Sequence, residues 1–368
     1  MRLPNLLATR RGRLATFFLL YITEGVPLGF AAVAMATQMR RQGVSAGGIS
    51  AFVGAIYLPW AFKWLIGPVV DVVASDRFGR RRAWILVMQL GMVASLFLIQ
   101  SVGMQASVSV LTSLIILHNI FGATQDVAID ALAVGVLKPD ERGLAGGLTF
   151  GAAYLGQAIG GSGALAIGSA FGFQSAFLFV AASILVITVL VVLPLQEPKG
   201  DRPVVAGQGA GERIRNEIAD YVRQAYRSFT ANRASLIGMP FAVLPGGAMA
   251  LGLAFQTNLA VDLKFDDNDV SALNLWTTIA GAIGCVAGGW LSDRLGRRRA
   301  LAWFIFSMSP PTLWMAWQLW HTGFILPLDP AQRAVALVPH VTVVVFWWAT
   351  MLYMVGNGLM YGARAALF

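Results

Sequence analysis

The feature that most restricts this chain is a succession of apolar runs, each far longer than a soluble core element. A bilayer-spanning helix needs about 20 mostly apolar residues. Ten runs approach or exceed that length, at 14–36, 49–70, 83–100, 108–136, 144–171, 173–193, 236–261, 270–291, 300–320 and 336–368. They lack the residue-by-residue alternation of barrel strands, so each predicts a transmembrane helix. Only 12% of the 368 residues are charged and 57% are hydrophobic, whereas soluble domains carry about 25% charged residues. That argues against a soluble enzyme, a disordered chain and a nucleic-acid-binding protein. One cysteine, Cys285, leaves no disulfide framework and no cysteine metal cluster, and three histidines offer little for zinc. No cofactor and no metal are expected. The first run lacks a small-residue cleavage site and reads as a retained helix.

The basic residues set the orientation. With the N-terminus in the cytoplasm and sides alternating, 21 of the 27 Lys and Arg residues fall in cytoplasmic segments. The other side holds four: Arg40, Arg41, Lys264 and Arg333. This positive-inside bias predicts a multi-pass protein of the inner membrane, and it explains the net charge of +9 without nucleic acid. Segment 196–235 separates six runs from four. Within it Ile214, Ile218, Tyr221, Val222, Ala225 and Phe229 recur at helical spacing among arginines. That pattern suits an amphipathic helix on the cytoplasmic leaflet or a solvated tether. The predicted organisation is a bundle at 1–195, a cytoplasmic linker at 196–235 and a second bundle at 236–368.

Two loops repeat each other. Asp76-Arg77-Phe78-Gly79-Arg80-Arg81-Arg82 and Asp293-Arg294-Leu295-Gly296-Arg297-Arg298-Arg299 each follow the second run of their half. Recurrence of D-R-x-G-R-R-R at corresponding places points to the two-half architecture of secondary transporters. A carboxylate at a helix end can pair with arginines and with a neighbouring helix N-terminus, making a gate that forms in one state and breaks in another. Gly79 and Gly296 permit a turn that a Cβ would obstruct.

The string Gly289-Trp290-Leu291-Ser292-Asp293-Arg294-Leu295-Gly296-Arg297-Arg298 resembles the G-x-L-x-D-R-x-G-R-R loop of the major facilitator superfamily. The first-half copy carries K-x-x-x-x-P-x-x-D from Lys63 through Pro68 to Asp71, a short insert, and then Gly79-Arg80-Arg81-Arg82-Ala83-Trp84. This variant resembles the branch of AmpG-type muropeptide permeases and acetyl-coenzyme-A transporters. Tyr21-Ile22-Thr23-Glu24-Gly25-Val26-Pro27-Leu28-Gly29 and Ala123-Thr124-Gln125-Asp126-Val127-Ala128-Ile129-Asp130 resemble it too. The resemblance implies an all-α, polytopic major-facilitator fold of two pseudo-repeated helix bundles. Twelve spans are usual there, so ten spans imply a truncated second bundle and about five-sixths of a transporter. The implied cytoplasmic gate comprises Asp71, Asp76, Arg77, Gly79, Arg80, Asp293, Arg294, Gly296 and Arg297.

Charges inside a bilayer cost about 2.5–3.5 kcal/mol each and are functional candidates by default. Asp126 and Asp130 stand i, i+4 on one helix face and resist being ionised together. Lys63 is available to neutralise Asp126, Asp130 or Asp71. Glu24 sits beside Gly25 and Pro27, where a helix should kink or loosen. With Gln125 these are the proton-coupling or substrate candidates; a static ion cluster that fixes packing is the alternative. Gly147/Gly151 and Gly156/Gly160 in the fifth run, and Gly284/Gly288 in the eighth, suit close helix contacts, and the resemblance implies that these two runs meet between the halves. Tyr154, Gln157, His118, Gln256 and Asn258 are polar groups on apolar runs that either line a cavity or bond across helices.

The functional expectation is a secondary-active, proton-coupled solute transporter working as a monomer by alternating access, with an anhydro-muropeptide as substrate. Its partners are a small molecule, the proton and the bilayer, and no nucleic acid. A coenzyme-A thioester or other organic anion is the alternative substrate, and a non-transporting sensor or inactive truncated transporter the alternative role. A membrane-embedded enzyme is disfavoured, because no nucleophile with an orienting base is found.

Overall fold

The computed structural model describes residues 5–73, 79–197, 210–230, 259–260, 263–265, 267–323 and 337–365. Among the described residues every regular element is helical. Helix α1 (Arg10–Gly29) opens on Thr9, whose hydroxyl accepts from the Gly12 amide. The chain continues through a π-helical turn (Phe30–Met35) into α2 (Ala36–Arg41). Three short helices follow, α3 (Ala46–Ile56), α4 (Leu58–Ala61) and α5 (Lys63–Val72). Then come α6 (Arg80–Val102), α7 (Val108–Val136), α8 (Arg142–Ala158), α9 (Ala164–Phe171) and α10 (Phe173–Ile187). The later elements are α11 (Ala210–Thr230), α12 (Asp267–Leu295), α13 (Arg297–Ser307), α14 (Ser309–His321) and α15 (His340–Ala365).

Among the described residues six helices are long and apolar enough to cross a membrane: Arg10–Met39, Arg80–Val102, Val108–Val136, Phe173–Val192, Leu275–Leu295 and His340–Arg364. They correspond to six of the ten expected runs. The run at 49–70 is not one rod. It breaks at Tyr57 and Phe62, and Pro59 supplies a reason for the first break, since it has no N–H to return to the Ala55 carbonyl. The run at 300–320 splits at Met308, where Pro310 and Pro311 fall in the first turn of α14, the position at which proline costs a helix least. The fifth run is helical but interrupted by a π turn at Ile159–Gly163. Of the run at 236–261, only 259–260 lie among the described residues. Pro27 leaves α1 helical, and the widening appears just beyond it, at Phe30–Met35.

Two apolar clusters fill the first group of helices, one around Phe30, Phe52 and Phe177, the other around Phe17, Leu20 and Ile129. Phe30 meets Phe177 edge to face at 4.9 Å. The tightest seams are glycine-lined. A Cβ on Gly160 would lie 1.8 Å from the Val26 carbonyl oxygen, so α1 and the end of α8 touch backbone to backbone. At Gly147 the corresponding distance to the Cys285 carbonyl oxygen is 2.5 Å, which brings α8 equally close to α12. Gly284 and Gly288 face α15 at Val355 and Leu359 instead of α8. They stand half a turn from Ala282 and Val286, which take the α8 side. The linker helix α11 packs on α5, with the Tyr221 hydroxyl reaching Gly67.

Candidate functional site

Helix α7 presents Asp126 and Asp130 one turn apart, and α5 begins at the residue that meets them. The Lys63 ammonium lies 2.5 Å from Asp126 Oδ2 and 3.2 Å from Asp130 Oδ2. The Trp60 indole donates to Asp126 Oδ2 at 3.2 Å, and the Tyr21 hydroxyl donates to Asp130 Oδ1. Glu24 has Asp126, Lys63 and Asp130 as its charged neighbours. Its Oε2 is buried without a hydrogen-bond partner. The cluster is graded in exposure: the Asp126 side chain is 5% exposed and that of Asp130 is 50%. Breaking the run at Phe62 puts Lys63 at the start of a helix, where the positive end of the macrodipole adds to its charge.

Of the five sequence candidates, Glu24, Lys63, Asp126 and Asp130 are brought together and Gln125 is not. One residue along α7 is a rotation of about 100°, and Gln125 points into the bundle. Its amide donates to the Thr23 hydroxyl at 2.9 Å, which also accepts from Gln89 at 3.3 Å. The Thr188 hydroxyl donates to Gln89 at 2.6 Å. This buried network ties α1, α6, α7 and the segment after α10 together. His118 is also interior, with Nδ1 2.8 Å from the Ser95 hydroxyl. Tyr154 bonds across to Asn357 of α15 at 3.5 Å. Gln256 and Asn258 lie outside the described residues. Sequence reasoning missed Trp60, and Tyr21 entered only as the start of a resembling string, without its bond to Asp130; each stands three residues before a charged one, which is the available signal.

The second repeated loop reaches across to the first six-run half. Asp293 Oδ2 accepts from the Leu144 amide at 3.1 Å, so a carboxylate of α12 caps the N-terminus of α8. Gly143 makes this possible, because a Cβ there would lie 2.0 Å from Asp293 Oδ1. Arg297 lies 3.6 Å from Asp293 and donates to the Pro139 carbonyl at 3.0 Å. The Arg294 guanidinium rests 3.9 Å above the Trp290 ring. Gly296 and Gly79 hold φ of +86° and +87°, the left-handed region that favours glycine.

The first repeated loop is organised differently. Asp71 pairs with Arg81, and Arg81 also donates to the Val70 carbonyl at 2.6 Å. Glu197 accepts from the Arg81 and Arg82 amides at 2.8 and 2.9 Å, capping α6 from a distant part of the chain. Arg80 Nε has no partner. Asp76 and Arg77 lie outside the described residues. A further pair was not foreseen. Arg13 donates to Glu141 at 2.5 and 2.9 Å, and to the Leu7 carbonyl at 3.1 Å. The Arg13 hydrogen bond holds the Glu141 carboxyl below its ordinary range, against the opposing effect of burial.

Comparison with known proteins follows the same lines. The family model described as "Major Facilitator Superfamily" matches residues 14–368. An anhydromuropeptide permease of Escherichia coli strain K12 is 26% identical over 297 residues, covering 79% of this chain and 58% of its own length. An uncharacterized protein of Haemophilus influenzae is 24% identical over 253 residues, covering 68% and 57% respectively. The chain thus spans less than two thirds of either relative. A putative transporter AmpG 4 of Rickettsia conorii is 24% identical over 297 residues, covering 78% and 70%. Among solved structures, a bacterial homologue of the iron transporter ferroportin in an outward-facing state superposes with a TM-score of 0.61 at 14% identity. The match covers 98% of this chain and 84% of that one. The human organic anion transporter MFSD10 (TETRAN) gives 0.60 at 15% identity over 97% and 91%.

Proposed function

Because the chain belongs to the major facilitator superfamily, we propose that it serves as a secondary-active, proton-coupled solute transporter of the inner membrane. It works by alternating access, as a monomer, with its N-terminus in the cytoplasm. The observation that carries the reading is the Lys63 ammonium held between Asp126 and Asp130 with Glu24 beside them. Three carboxylates against one ammonium leave two net negative charges if all ionise. In a medium of low dielectric, one added proton relieves much of that repulsion. Asp130 is half-exposed and offers the entry, while Asp126 is buried behind it.

Ten crossings belong to the same proposal, six in 1–195 and four in 236–368, with the linker at 196–235 between them. The halves rock about the seam of α8 and α12. Asp293 on the α8 N-terminus is the latch, with Arg294, Gly296 and Arg297 shaping its loop. Asp71, Asp76, Arg77, Gly79 and Arg80 form the first-half counterpart. The substrate is an anhydro-muropeptide, supported by the relative that bears that name, with Lys63 as the cationic partner of its anionic groups in the proton-loaded state.

The test is accumulation of labelled anhydro-muropeptide by proteoliposomes under an imposed pH gradient. Asp126→Asn and Asp130→Asn each abolish gradient-driven accumulation if the cluster couples the proton. Undiminished accumulation in both variants overturns the coupling role.

A further inference from the structure

A groove of about 580 Å³ runs between α8 and α12, closed at the back by Phe18 of α1. Its exposed lining surface is apolar, and Leu144, Leu155, Ile283, Ala287 and Trp290 mark its length. From Leu144 to Ala158 on one wall the helix rises about 21 Å, and from Thr278 to Trp290 on the other about 18 Å. One leaflet of the hydrocarbon core is roughly 15 Å deep, so the groove matches one acyl chain along its length.

The groove opens outward from the molecule. Leu155, Ile283 and Trp290 are 40%, 66% and 44% exposed. Ile283 and Trp290 continue an i, i+7 stripe from Trp276, also exposed. An exposed stripe of Trp, Ile and Trp on a helix of spanning length has lipid, not water, as its natural surroundings.

One end of the groove differs in charge from the rest. Each of its three walls has an exposed arginine close in sequence to that end. Arg294 lies over Trp290, the ring that closes that end. Arg142 stands two residues before Leu144 at the start of α8. Arg11 stands two turns before Phe18 on the same face of α1. Arg294 on the ring at that end, with exposed Arg11 and Arg142 close by in sequence on the other two walls, complements a molecule with one anionic head and a long hydrocarbon tail.

We propose that this groove binds an anionic phospholipid, its acyl chain between α8 and α12 and its phosphate among Arg11, Arg142 and Arg294. The site lies on the seam that joins the two halves, beside the Asp293–Leu144 contact, so bound lipid is positioned to weight the seam's closed arrangement.

The test uses the full chain in detergent, with phosphatidylglycerol and phosphatidylcholine as the probes and native mass spectrometry as the readout. The expected result is one phosphatidylglycerol retained in preference to phosphatidylcholine. Ala287→Phe fills the groove and should remove that adduct. The triple variant R11Q/R142Q/R294Q touches only exposed side chains and should fold; it weakens phosphatidylglycerol retention by about fivefold per charge removed. Val134→Phe, on an exposed face away from the groove, should retain lipid as the unmodified chain does. Equal retention by the unmodified chain and both groove variants overturns the site. Equal retention of the two lipids overturns the anionic headgroup. A dimer that Ala287→Phe converts to monomer overturns lipid as the occupant in favour of a second copy of the chain.

Discussion

Arg13 and Glu141 are covered by other side chains yet close to the end of the bundle, and they make a two-pronged ion pair. Glu141 has its carboxyl lowered in the folded state. Its stabilisation is therefore complete above the ordinary glutamate value, ~4.3, and is lost as pH falls through the lower folded value. Glu141→Gln should erase that acid-side slope in a thermal melt. It should also cost about 3 kcal/mol at neutral pH, the low end for breaking a covered pair. A melt that keeps the slope in the variant contradicts the assignment. At this scale the sequence was informative where charge stood out against an apolar background. Asp126, Asp130 and Lys63 announced themselves by spacing and by cost of burial. Trp60 and Tyr21 did not, because an aromatic in an aromatic-rich span carries no local mark of its hydrogen bond. Arg13 and Glu141 are 128 positions apart, and no local pattern joins them.

The helices show why spacing alone gives an incomplete account of an element. Gly147 and Gly284 sit in similar small-residue patterns, yet one faces α12 from α8 and the other faces α15 from within α12. Sequence periodicity identified the small faces but not the neighbours they meet. The α8–α12 seam makes a direct prediction. Gly147→Ala places a Cβ about where backbone already stands, 2.5 Å from the Cys285 carbonyl oxygen, and overpacking of this kind costs about 1–3 kcal/mol. The melting temperature should fall. Gly47→Ala, with nothing within 4 Å of the new methyl, should leave it unchanged or raise it. Equal melts for the two variants would mean the seam relaxes freely. The breaks at Tyr57 and Met308 were harder to foresee. Pro27 and Pro68 are carried inside helices, whereas breaks fall beside Pro59 and before Pro310, so proline marks a possible break without fixing it.

For the molecule as a whole, helical membrane class and family were legible in the sequence: apolar run length dictates the first, and the repeated loop carries the second. How the halves close on each other was not, because it depends on contacts such as Asp293 with the α8 N-terminus. Cys285 offers a reporter for that closure, being fully buried where α8, α12 and α15 converge. It is also the single cysteine of the chain, so no background substitution is needed. Maleimide labelling of Cys285 in the unmodified chain should be slow. Asp293→Asn and Gly143→Ala both weaken a charge-assisted hydrogen bond worth about 1.5–3 kcal/mol. Each should speed labelling by roughly tenfold or more. Unchanged rates in both would show that the Asp293 contact does not hold the seam.

The broken second run has a mechanical consequence. Helix α5 is a short rod of ten residues, roughly 15 Å long, joined to α4 through the single non-helical residue Phe62. Lys63 is the end of that rod nearest the joint, and Tyr221 of α11 bears on it at Gly67, about one turn farther along. A push from the linker is thus delivered to a short lever whose pivot lies beside the ammonium. A displacement of α11 that turned α5 about Phe62 would change how the charge of Lys63 is shared between Asp126 and Asp130, which would gear the linker to the carboxylate cluster.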